Sequence, residues 1–204
     1  MPRKPHKPFE DAFLNVPYGK KVENLFLAYI PGVSAFGLSA RATLEITGGA
    51  RRLDRIFHLM QGRQYSVRDL SRVELDRRWP RTPRFNMPFE LGMSVAWAQR
   101  GGGNHEWFVF ESMDHRLAKS LSDLNGTDPD IHGGIVAGVF RELCNAFVRS
   151  GRQPTIQQMW RIYRDVRKSL PRILRRAGAS SIYNARIFKD ICVVASASAD
   201  VRVA

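Results

Sequence analysis

Two acids are spaced so that they could work on one carbon atom. Asp69 sits at the end of an apolar stretch, Gln-Tyr-Ser-Val-Arg-Asp-Leu at 64–70, and Glu90 follows in Arg-Phe-Asn-Met-Pro-Phe-Glu-Leu-Gly at 84–92. The first stretch predicts a strand, which puts Asp69 at its carboxyl end. The second predicts a helix over 87–99 with Glu90 in its first turn. A helix N-terminus carries roughly half a positive charge and keeps a carboxylate ionised. An ionised carboxylate can stabilise a cation at a sugar C1 or form a covalent glycosyl intermediate there. Each residue also has a plainer role. Glu90 would simply complement the helix dipole, and Asp69 would close a turn by bonding nearby backbone amides.

The residues around the two acids are similarly double-valued. Asn86 suits a helix N-cap as well as a ligand contact. Arg84 and Arg68 are candidates to meet a phosphate, and Arg84, in a loop, is otherwise solvated. Tyr18 ends Asn-Val-Pro-Tyr at 15–18 and could stack on a base, or cover the end of the next helix.

The elements that must position these groups alternate. Strands are predicted at 11–18, 38–44, 64–70 and 106–110, and helices at 20–31, 51–60 and 87–99, with the 20–31 helix amphipathic through Val22, Leu25, Phe26 and Tyr29. Gly101 to Gly103 stop the third helix. Alternation of this kind predicts an α/β fold with a parallel sheet, whose ligands bind outside the carboxyl ends of the strands. A helix over 135–149 and a second from Thr155 follow, and Pro171 is expected to kink or end the second. The small-residue run 195–199 is expected to fray.

Length and charge set further bounds. The 204 residues suffice for one core with an appended helical piece. We expect a basic arm at 1–8, an α/β domain at 9–150 and a basic helical extension at 151–204. The net charge is +13, and its distribution is uneven. Residues 149–176 hold nine basic residues against Asp165, while 9–148 are nearly neutral. The basicity therefore belongs to the arm and the late helix, where nucleic acid is a possible partner through 155–176. A basic face on a helix packed against the sheet is the alternative. No apolar run of about 20 residues predicts a membrane span. Cys144 and Cys192 sit in separate apolar runs, so we expect no disulfide and a cytoplasmic setting.

Other candidates are weaker. Asp128-Pro-Asp130-Ile-His132 has metal-ligand residue types but the spacing of turn chemistry, and no metal is expected. His58 is expected to be packed, and Cys144 lacks an activating partner. Gly101-Gly-Gly follows a helix and is no dinucleotide fingerprint.

Three segments together resemble the nucleoside 2-deoxyribosyltransferase and TIR-like superfamily, and a bacterial branch of it over the whole length. They are Phe13-Leu-Asn-Val-Pro-Tyr18, Tyr65-Ser-Val-Arg-Asp-Leu-Ser-Arg72 and Arg84-Phe-Asn-Met-Pro-Phe-Glu-Leu-Gly92. The resemblance covers about residues 11–112. It implies a flavodoxin-like sheet and cleavage or transfer at an N-glycosidic bond. It makes Glu90 the catalytic glutamate and Asp69 the acid that contacts the sugar. Tyr18 and Pro17 then line the base pocket, and Arg68, Ser71, Arg84, Asn86 and Met87 complete the substrate-binding set. The arginine-rich loop before Glu90 shifts the expected substrate from a nucleoside toward a nucleoside monophosphate or NAD, which would be a substrate and not a cofactor. A homo-oligomer is a further implication. A non-catalytic nucleotide-sensing module in the same pocket is the competing expectation.

Overall fold

The computed structural model describes residues 11–45, 51–61, 64–72, 75, 79–100, 105–124, 126–148 and 152–203. The basic arm at 1–8 and Gly101 to Gly103 lie outside the described residues.

Five strands form one sheet: β1 (Asp11–Asn15), β2 (Ser39–Arg41), β3 (Tyr65–Asp69), β4 (Glu106–Glu111) and β5 (Asp130–Ile131). All pairs are parallel, in the order β2-β1-β3-β4-β5. This is the flavodoxin-like α/β arrangement, whose strand order reverses between β1 and β3. Asn15 pairs with Arg68 at that point. Apolar strands buried on both faces are what a parallel sheet requires, and β3 is buried throughout.

Helices α2 (Arg52–Met60) and α3 (Asn86–Gln99) cover one face. There Phe13 of β1 meets Ile56, Leu59 and Met60 of α2, with Met93 of α3 against them. The other face carries α1 (Glu23–Ala35) and α5 (Val136–Ala146), with α6 (Ile156–Ala177) and α7 (Ala185–Arg202) beyond them. A short α4 (Arg116–Ser120) follows β4.

Helix α1 departs from its expected amphipathic form. Every residue from Leu25 to Ala35 is buried, because the sheet lies on one side and α6 and α7 pack on the other. A helix apolar all round needs such a double cover.

The expected appended extension shares the main core. Met159, Ile162, Val166, Ile191, Ala195 and Ala199 join Leu14, Phe26 and Tyr29 in one cluster. Residues 195–199 are therefore helical and packed, not frayed. Thr155 and Gln158 form a reciprocal capping box at the start of α6. Pro171 lies within α6 and does not end it. An interior proline costs about 3 kcal/mol. Leu170 and Ile173 beside it are buried, each stabilising by roughly 1.5–3 kcal/mol, which offsets that loss. No helix among the described residues is long and apolar enough to cross a membrane. Both cysteines are free.

Candidate functional site

Strand alternation sends neighbouring residues of β3 to opposite faces. Arg68 points toward α3 and Asp69 toward α1, and each is the centre of a polar group.

On the α3 face, the Asn15 amide donates to Glu90 Oε2 at 2.5 Å. Glu90 is 2% exposed. Arg68 is wholly buried, with its guanidinium 4.6 Å over the Phe13 ring and one Nη2 bond to Ser94 Oγ. Its Nε and Nη1 have no hydrogen-bond partner among the described residues. Burial pulls the Arg68 pKa down to about 9, against the opposing pull of the Glu90 carboxylate. The group is thus a cation at neutral pH beside the Glu90 carboxyl group.

The helix start differs from expectation. Helix α3 begins at Asn86, after Phe85 at the cap with no side-chain cap bond, and its first turn holds no acid. Glu90 belongs to the second turn, and Asn86 is the first helical residue instead of the N-cap. The dipole therefore acts more weakly on Glu90 than the sequence implied, since its influence fades beyond the first turn. Asn15 and Arg68 supply the local polarity.

A cleft of about 420 Å³ opens at the carboxyl ends of β1 and β3. The segment from Asn15 to Tyr18 forms one wall, and the segment from Thr82 to Met87 forms the other, with Arg72 between them. The structure thus brings Pro17, Tyr18, Arg84, Asn86 and Met87 to the border of one cleft, while Arg68 and Ser71 lie outside its lining. Arg72 Nη1 bonds the Tyr18 carbonyl. Gly19, at φ +138°, admits the Arg72 guanidinium where a Cβ would collide with it. Glu90 lines a smaller pocket of about 230 Å³ with Leu53, Ile56, Phe89 and Asn86. Asn86 borders both pockets, and Asn15 joins the cleft to the Glu90 carboxylate.

On the α1 face, Asp69 is wholly buried and lines neither pocket. Its Oδ2 accepts from the Tyr29 hydroxyl at 3.0 Å, and its Oδ1 accepts from the Ser71 amide at 2.8 Å. Ser71 Oγ lies 2.9 Å from His132 Nε2, which is also 3.5 Å from Asp69 Oδ2. The Gly134 amide donates to His132 Nδ1 at 3.0 Å. Nδ1 is therefore an acceptor, and the ring proton sits on Nε2. A Ser–His–acid triad needs the serine and the acid on different ring nitrogens. Here both face Nε2, so Ser71 is not an activated nucleophile. Burial and the Asp69 carboxylate push the Tyr29 hydroxyl well above its usual range. Asp130 is raised to about 7 by burial and the Glu142 carboxylate.

Tyr18 stands at the cleft and also covers the start of α1. It borders the cleft, while its ring packs on Phe26 and Tyr183 and its hydroxyl meets Thr43. His58 is exposed, not packed. No group of three metal-ligating side chains occurs among the described residues.

The sequence reading missed Asn15, Arg72, Tyr29 and His132. Asn15 carried a usable signal, since a polar residue closing an apolar parallel strand stands at the edge where ligands bind. Tyr29 was hidden in an apolar helix and His132 in a turn-like string. Comparison of the chain with protein-family models, curated proteins and solved structures gives no match.

Proposed function

We propose that the cleft binds a nucleotide-like small molecule, a nucleoside monophosphate or NAD, and that Glu90 acts on its N-glycosidic bond. The observation that carries this reading is the Asn15–Glu90 hydrogen bond at the switch point of the sheet. It fixes a buried carboxylate beside a cleft where α/β sheets hold their ligands. Arg84 and Arg72 offer cations along the cleft for a phosphate.

In this reading the N-glycosidic bond breaks with its electron pair leaving on the base. The Glu90 carboxylate stabilises the cation at C1 or bonds to it, and water or another hydroxyl completes hydrolysis or transfer. The amide of Asn15 holds Glu90 Oε2 in place. Asp69 acts at one remove: by accepting the Ser71 amide it fixes the turn that delivers Arg72 to the cleft.

The test is a mass-spectrometric assay for free base, with NAD, NADP, nucleoside monophosphates and deoxynucleosides offered to wild type and E90Q. Base release by wild type, reduced at least a thousandfold in E90Q with ligand affinity kept, is the expected result. The second reading, a nucleotide sensor without turnover, draws on the same burial of Glu90 behind Phe89 and Asn86. Equal binding by both proteins with no base released would select it.

A further inference from the structure

We propose that the outer face of α6 is a docking surface for the phosphate backbone of nucleic acid, independent of the cleft and its chemistry. Arg161, Arg164, Lys168, Arg172 and Arg175 are all exposed. Their spacings of three and four residues put them in one stripe of about 21 Å along the helix. The stripe lies diametrically opposite the buried row of Met159, Ile162, Val166, Leu170 and Ile173. It is therefore turned fully to solvent while the helix beneath it is locked into the core.

Among the described residues no carboxylate forms an ion pair with this stripe. The single acid of α6, Asp165, is taken by Ser198 Oγ at 2.6 Å and by Arg202 of α7. Like charges three and four residues apart repel on a helix, so the row opposes the stability of the isolated protein. A polyanion lying along it relieves that repulsion. Four of the five residues are arginine, whose planar fork suits phosphate oxygens.

A membrane surface fits less well. Interfacial helices insert bulky apolar side chains beside their charges. On α6 the one large apolar side chain exposed is Ile156, at the first residue and off the basic stripe.

The measurement is fluorescence anisotropy of the full chain with a labelled 20-base-pair duplex and a labelled single-stranded RNA, across a salt series from 50 to 200 mM, each figure being about what such titrations use. The slope of log affinity against log salt is expected at about −4.5 for the duplex and about −3.5 for the single strand if the five cations of the stripe each release one counterion. The variant R164Q/K168Q/R172Q should reduce the slope by about 3, with circular dichroism and thermal midpoint at or above wild type. R161Q/R172Q/R175Q provides the same test through a second combination. Absence of binding at low salt, or an unchanged slope in both variants, overturns the proposal. Binding to phosphatidylserine vesicles without binding to either nucleic acid overturns it in favour of a membrane.

Discussion

The two faces of β3 carry an arginine and an adjacent aspartate in opposite circumstances. Toward α1, Asp69 is saturated by Tyr29 and Ser71, with His132 held in a single tautomer beside it. Toward α3, Arg68 is as deeply buried, yet two of its nitrogens have no hydrogen-bond partner among the described residues. A saturated buried network fixes geometry, whereas unsatisfied buried donors carry a standing cost and are uncommon. The two faces therefore differ in role: the α1 face holds the backbone of the sheet edge in register, and the α3 face keeps buried charge behind the pocket that Glu90 lines.

The most severe way to test that division is to remove the Arg68 cation. R68M should destabilise the protein by about 3–5 kcal/mol, because it leaves the Glu90 carboxylate buried without it. R68M/E90Q should recover most of the loss, as read from urea unfolding. A neutral R68M would mean that Arg68 and Glu90 are not coupled.

The saturated side is tested through Gly138. A Cβ at this position would overlap the His132 carbonyl and Cα, which belong to the backbone and cannot swing aside. G138A should cost about 1–3 kcal/mol through overpacking. It should also shift the imidazole resonances of His132, which report its bonds to Ser71 and Gly134. Unchanged resonances would show that α5 does not hold this network.

Asp130 gives the smallest effect and a sign. Its carboxyl is raised to about 7 from an ordinary value near 3.8. The folded protein therefore binds this proton more tightly than the unfolded chain does. The associated stability is complete below pH ~4 and is lost as pH rises through ~7. The thermal midpoint should fall by a few degrees over that window, and D130N should flatten the dependence. A wild-type midpoint that rises over the same window, with D130N unchanged, would contradict this account.

What could be read from the sequence follows from which signals are local. The parallel sheet was legible because apolar strand runs and helical spacing recur in alternation. Most of the cleft was legible too, since Tyr18, Arg84, Asn86 and Met87 flank strand and helix ends where such sheets expose backbone. Arg68 was harder to place. A charged residue inside a strand reads as solvent-facing, and its burial depends on Phe13, Ser94 and Glu90, all distant in sequence. Pro171 and the run 195–199 misled for a related reason. Proline and small residues speak for local chain preference, and the packing of α6 and α7 on α1 overrode it.

The burial of α1 has a consequence for the order in which the molecule comes into being. During synthesis α1 emerges on the order of ten seconds before α7, at ribosomal rates of about 5–20 residues per second. Until then one side of its Leu25–Ala35 surface lacks its native cover. The Tyr183 ring and hydroxyl, which brace Tyr18 and Gly19 at the cleft, arrive equally late. The cleft wall is thus among the last parts to be completed, and a nascent chain stalled before α7 would present a sticky apolar helix in place of a finished site.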